Sequence, residues 1–213
     1  MNVLWIILGV LALVVVAALV YAVLTYNRLV TLRERFKNAY AQIDVQLKRR
    51  YDLIPSLVET VKGYMAHERQ TLEAVIAARN VAAQASSRAA AHPEDSTAVR
   101  QVVGAENELV SMLGRLFMLQ EQYPQLKADQ HTSRLMEELS STENRIAFAR
   151  QHYNDSVMTY NAFRQSFPPT VIAGSMGFGE AALFEVNDPR ERQAVQVDFN
   201  QSSAAPSTAP RGA

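Results

Sequence analysis

The sequence contains no cysteine. That excludes disulfide frameworks, thiolate zinc sites, iron–sulfur clusters, a cysteine nucleophile and a lipidated cysteine anchor together. Glycine and proline number only eight each in 213 residues, too few for the turn-dense chain of an all-β fold. Net charge is absent as well, because 21 Lys and Arg balance 21 Asp and Glu. This balance argues against a strongly basic nucleic-acid binder and against an acidic disordered chain. The signatures of chemistry are missing too. There is no HExxH, no Gly-x-Ser-x-Gly and no phosphate loop, and Gly174, Gly177 and Gly179 do not make a dinucleotide fingerprint. His67, His92, His131 and His152 never pair at helical spacing, and the Glu-x-x-His unit of a di-iron bundle does not occur. The expectation is a protein without catalytic residues, cofactor, metal site or nucleic-acid partner.

The zero charge is a sum of three unlike regions. Residues 1–24 carry no charged side chain. Residues 25–51 carry seven cations (Arg28, Arg33, Arg35, Lys37, Lys48, Arg49 and Arg50) against Glu34 and Asp44, a net of +5. The remaining 14 cations and 19 anions leave the rest of the chain at −5.

Val3 to Leu24 is a run of 22 residues without a charged, Asn, Gln, Ser or Thr side chain. As a helix it covers roughly 33 Å, enough for a bilayer core. Trp5 near one end, with Tyr21 and Tyr26 near the other, suits interfacial aromatics. No basic residue precedes the run and no small-residue cleavage pattern follows it, so an uncleaved single-pass anchor is expected rather than a signal peptide. Arg28, Arg33, Arg35 and Lys37 form a basic collar just after the span, where they would meet anionic headgroups. By the positive-inside rule the collar predicts an outward N-terminus and a cytoplasmic body, favoured over a periplasmic one.

From residue 29 onward apolar residues recur at steps of three and four: Leu29, Leu32, Phe36, Ala39, Ile43, Leu47, Ile54, Val58, Val61 and Met65. The stripe lapses only near Tyr51. Pro55 there predicts either a kink or the start of a second, collinear helix. Further stripes run over 67–90, 96–123 and 125–165, ended by Pro93, Pro124 and Phe167-Pro168-Pro169. The fold class expected is all-α: an N-terminal transmembrane helix, then a long antiparallel three- to four-helix bundle of coiled-coil character, then a short irregular C-terminal extension. By segment this is an anchor over 1–25, a bundle over 26–169, an irregular docking segment over 170–199 and a disordered tail over 200–213. The Gly-rich apolar stretch 171–179 could dock on the bundle or touch the lipid surface.

Polar residues inside the stripes are the candidate functional positions. Lys48-Arg49-Arg50-Tyr51-Asp52 sets three cations beside an acid. The run reads either as a solvated helix junction or as a site where Asp44, Arg49 or Arg50 pairs with an acid on the last long helix, such as Glu143, and so fixes helix register. Arg49, roughly 37 Å beyond the span on a straight helix, is too far to serve as a lipid contact. Tyr153-Asn154 and Tyr160-Asn161 lie seven apart and share a helix face. Asparagine is a poor helix-interior residue unless its amide finds a partner. With Asn144, Arg145 and Arg150 these residues form a polar stripe, read as interhelical bonding or as a partner-binding face.

The run Tyr40 to Tyr64, YAQIDVQLKRRYDLIPSLVETVKGY, resembles the signature of the LemA family. His67-Glu68, Leu72-Glu73, Ala78-Arg79, Glu106-Asn107-Glu108-Leu109, Tyr123-Pro124, Glu143-Asn144-Arg145-Ile146, Ala149-Arg150, Tyr153-Asn154, Val157, Tyr160-Asn161 and Phe167-Pro168 continue the resemblance over roughly residues 26–186. It implies a bacterial protein with one N-terminal span, an antiparallel helical body and no established enzymatic activity. Some relatives are linked to membrane organisation, a magnetosome-membrane protein among them. The leading functional expectation is a membrane-anchored scaffold in the bacterial inner membrane that meets the bilayer and a protein partner or itself. The alternative is a cryptic enzyme or a metal- or ligand-binding module that gathers Asp44, Glu143, Arg145 and Arg150 across helices.

Overall fold

The structure is a computed structural model that describes residues 2–185. Expectations for residues 186–213 lie outside the described residues, including the rest of the docking segment and the tail. Helix α1 spans Asn2–Lys62. A 3₁₀ turn at Ala66–Glu68 leads into α2, Arg69–Ala91. Helix α3 spans Ser96–Gln120, α4 spans Pro124–Ala128, α5 spans Gln130–Gln165 and α6 spans Pro169–Ser175. No strand occurs among the described residues, and the protein is all-α.

The long helices pair antiparallel in chain order. α2 folds back along α1, and α3 folds back along α2. α5 returns along the opposite flank of α1, so Arg49 meets Glu138 at one end while Phe36 meets Tyr160 at the other. The stripe read from the sequence is the core: Leu29, Leu32, Phe36, Ile43, Leu47, Ile54 and Val61 are all buried. On α5, Leu139, Ile146, Tyr153 and Tyr160 recur every seven residues and are buried, the seam of a coiled coil. Its ring pairs lie edge-to-face or tilted, with Tyr153 5.6 Å from Tyr40 and Tyr160 5.1 Å from Phe36.

Three boundaries differ from the sequence expectation, each for a local reason. α1 runs unbroken through Pro55. A proline there removes the N–H that would bond the Tyr51 carbonyl. Arg79 on α2 supplies the missing donor, its Nε reaching the Tyr51 carbonyl at 2.8 Å. The stripe expected over 125–165 breaks at Asp129, whose carboxylate accepts from the Thr132 backbone N–H at 2.7 Å and starts α5 afresh. The irregular segment expected from residue 170 contains most of a short helix, α6. Gly177, with φ 72°, ends that helix in a left-handed turn, and the Phe178 N–H then bonds the Ala173 carbonyl at 3.0 Å.

The first part of α1 stands apart from this packing. Its most apolar 18-residue window has a mean hydropathy of 3.2, and none of that window is buried. By length and composition it is able to cross a membrane. The same helix continues without interruption into the bundle core.

Candidate functional site

Arg50 lies seven residues after Ile43 and seven before Leu57, so the helix turns it into the core. It is only 1% exposed, and two other helices share its guanidinium. Nη1 donates to both carboxylate oxygens of Glu143 on α5, at 2.9 and 3.1 Å. Nη2 donates to Glu106 on α3. The Tyr51 hydroxyl donates to the other oxygen of Glu106. Glu106 is as buried as Arg50, while Glu143 keeps one edge toward solvent. A buried cation is costly unless opposite charge and hydrogen bonds compensate it, and here both Nη groups are bonded while the buried Nε has no partner. Here two carboxylates flank one guanidinium and join α3 to α5, which pack chiefly on α2 and α1 rather than on each other.

The neighbouring polar groups extend the cluster along α1. Asp44 accepts from Lys48 at 2.6 Å and from Ser86 on α2 at 3.1 Å. Burial pushes the Tyr51 hydroxyl up to about 12, against the pull of the Arg50 charge. Burial, then the nearby Asp44 charge, also raises Tyr40 above the usual tyrosine range, and burial raises Tyr153. These hydroxyls stay neutral at ordinary pH and act as fixed dipoles. Arg49 pairs with Glu138 at 2.5 Å on the surface. Asp52 is exposed and lies 3.9 Å from Arg79. Asn144 and Arg145 face solvent, and Arg150 is half-buried. The expected pairing of Arg50 with Glu143 is therefore present. The sequence reading did not pick out Glu106 as a network member. The available signal was its position in the apolar stripe of α3, three residues before Leu109 and four after Val102.

A second constellation explains the two Tyr-Asn pairs. Residues 178–184 run extended along α5. Asn161 exchanges two hydrogen bonds with the backbone of Ala181, at 2.9 and 3.1 Å. Asn154 does the same with Phe184, at 3.3 and 2.8 Å. The hydroxyls of Tyr160 and Tyr153 donate to the carbonyls of Gly179 and Ala182 at 2.8 and 2.9 Å, and Arg164 donates to the Phe178 carbonyl at 2.7 Å. The register has a simple cause. Seven helical residues rise about 10.5 Å, and three extended residues span about 10 Å. A Tyr-Asn repeat of seven on α5 thus meets every third residue of the strap. Phe178, Ala181 and Phe184, also three apart, are buried beneath it. The amides bond an extended segment of the chain rather than another helix.

The basic collar divides. Arg28 and Arg35 are exposed. The Arg33 guanidinium lies over the Phe178 ring, 5.0 Å from its centroid. Lys37 pairs with Glu94 at 3.3 Å. Among the described residues no three His, Asp or Glu side chains converge as a metal ion requires.

These features define a class: an all-α antiparallel bundle whose first helix is the continuation of a membrane-competent apolar segment, locked by a buried arginine and closed by a tethered strap. The chain belongs to the LemA family, whose sequence profile matches residues 39–199. It is 25% identical over 186 residues to magnetosome protein MamQ 2 of Paramagnetospirillum magneticum, covering 80% of this chain and 68% of that protein. It is 25% identical over 192 residues to magnetosome protein MamQ of Magnetospirillum gryphiswaldense, covering 83% and 71%. The likeness to protein LemA of Metamycoplasma hominis is 25% over 175 residues, 82% of this chain and 74% of that one. Family and fold together point to a membrane-associated helical protein.

Proposed function

We propose that this protein is a single-pass, membrane-anchored scaffold of the bacterial inner membrane, with the N-terminus outside, the bundle in the cytoplasm and no turnover of its own. The observation that carries this is the unbroken α1. The run is exposed from Val3 to Tyr21, and the same helix becomes the spine of the bundle. A rigid coupling of this kind places a body at a fixed distance from a bilayer. The relatives named as magnetosome proteins favour a role in membrane organisation. The buried polar groups suit structure better than catalysis, because Glu106 is held by Arg50 and Tyr51 and has no open side. A partner or a second copy is suggested by Val45 and Phe148, both exposed and both lining one shallow groove with Arg145 between α1 and α5.

Two measurements test the reading. Fusions of a cytoplasm-active fluorescent reporter and a periplasm-active phosphatase to the C-terminus should give signal from the fluorescent one alone. Phosphatase activity would reverse the assigned orientation. A photo-crosslinker at Phe148 in intact membranes should trap a protein adduct that the same probe at exposed Glu59 does not. Equal, background-level products at both positions would remove the scaffold's contact face.

A further inference from the structure

α6 has two unlike sides. Pro169 and Ala173, four residues apart, are buried against the body. Val171 on the other side is 63% exposed, with Phe167 just before the helix at 82% and Met176 just after it at 61%. Three large apolar side chains thus stand in solvent within ten residues. No charged residue occurs between Arg164 and Glu180, and Arg164 is occupied by the Phe178 carbonyl. The position of this face along α1 decides what covers it. Tyr160 packs on Phe36, so with antiparallel register α5 ends near the level of Thr31 and α6 follows. α6 packs on both α1 and α5. Just beyond it, Phe178 meets Tyr26 edge-to-face at 5.6 Å. Burial on α1 begins at half-buried Ala22 and buried Thr25, where the uncharged run ends. The apolar face therefore sits at the depth where a bilayer crossed by Val3 to Leu24 would end.

We infer that α6 is a second membrane contact, with Phe167, Val171 and Met176 lying in the boundary between headgroups and acyl chains of the leaflet that α1 leaves. This inference rests on the anchor reading of α1. A short element with apolar side chains outward, small residues inward and no acid between them has the composition of an interfacial anchor. Arg28 adds attraction to anionic headgroups. The physical consequence is a body pinned at two points, so that it cannot swivel freely about the axis of its anchor.

The single tryptophan, Trp5, makes the test direct. The full chain is placed in nanodiscs of phosphatidylcholine and phosphatidylglycerol, with lipids brominated either near the headgroup or near the chain end. The native protein reports on Trp5. W5F chains carrying F167W, V171W or M176W report on the α6 face, and W5F with F148W is the control on an exposed apolar site far along the bundle. The expected result is loss of emission at the α6 positions, stronger with shallow than with deep bromine, together with a blue-shifted maximum. The F148W signal should be unchanged. If the three α6 positions are quenched no more than F148W while native Trp5 is quenched, the inference is overturned and the anchor stands. If native Trp5 is not quenched by either lipid, the anchor reading fails and the inference falls with it. Three separate reporter sites, all exposed, guard against a single variant that misfolds.

Discussion

Arg50 shows how one side chain can hold three helices. Its charge is out of water, and the acids around it are there at the cost of their own desolvation. Removing one partner is therefore far worse than removing both. Arg50→Ala strands the Glu106 carboxylate in the core and is expected to cost about 3–5 kcal/mol. The paired change R50M with E106L should recover most of that loss, since Glu143 has an open edge through which water can reach it. Chemical denaturation of the detergent-solubilised chain measures both. An equal loss in the single and the double variant would mean that Arg50 acts by packing alone.

At the scale of elements, two joints depend on backbone groups meeting side chains. The first is the passage of α1 through Pro55. Arg79→Met leaves the Tyr51 carbonyl without its donor and should destabilise the fold by about 1–3 kcal/mol. In a P55A background the restored N–H serves that carbonyl, and the same Arg79 change should cost measurably less. A double-mutant cycle reads this coupling, and additive effects would separate Arg79 from the proline. The second joint is the strap. Replacing Asn154 and Asn161 with alanine removes four hydrogen bonds to Ala181 and Phe184, each worth about 1 kcal/mol net. Amide exchange at Ala181 and Phe184 should accelerate strongly, while core amides of α1 and α5 keep their protection. Retained protection at those two amides would show that the buried Phe178 and Phe184 hold the strap without help.

At the scale of the whole molecule, the buried tyrosines set a limit at high pH. Tyr40, Tyr51 and Tyr153 all have hydroxyls raised by burial. A raised value means that the folded state holds its proton more tightly than the unfolded chain. Their stabilising contribution is thus complete below about pH 10, the unfolded tyrosine value, and declines as pH rises through the folded values. Tyr51 reaches its own near 12. Helical signal followed against pH should hold through pH 9 and then fall together with the part of the tyrosinate absorbance that is lost in a Y40F/Y51F/Y153F variant; the difference is needed because Tyr21, Tyr26 and Tyr64 are exposed and absorb in both chains. Difference absorbance that rises well before helix loss would show that these three hydroxyls are not locked in the core.

Periodicity and composition alone were enough for the all-α class, the membrane-competent apolar start of α1 and its core stripe. Each depends on residues close in sequence, and a helix converts spacing of three and four directly into a face. A pairing of Asp44, Arg49 or Arg50 with an acid such as Glu143 was one of the readings open to the sequence, and the packed chain selected Arg50 for Glu143. Tertiary structure decided what lay beyond local spacing. Glu106 joined the cluster because α2 and α3 bring it opposite α1, across 56 residues of chain. Pro55 did not break α1 because Arg79, 28 residues away, repaired the carbonyl it orphaned. The Tyr-Asn repeat found an extended strap rather than a helix because a rise of seven helical residues equals a span of three extended ones. Sequence could show that these polar groups needed partners, but only the packed chain could choose them, since hydrogen bonds are satisfied by proximity in space and not by order along the chain.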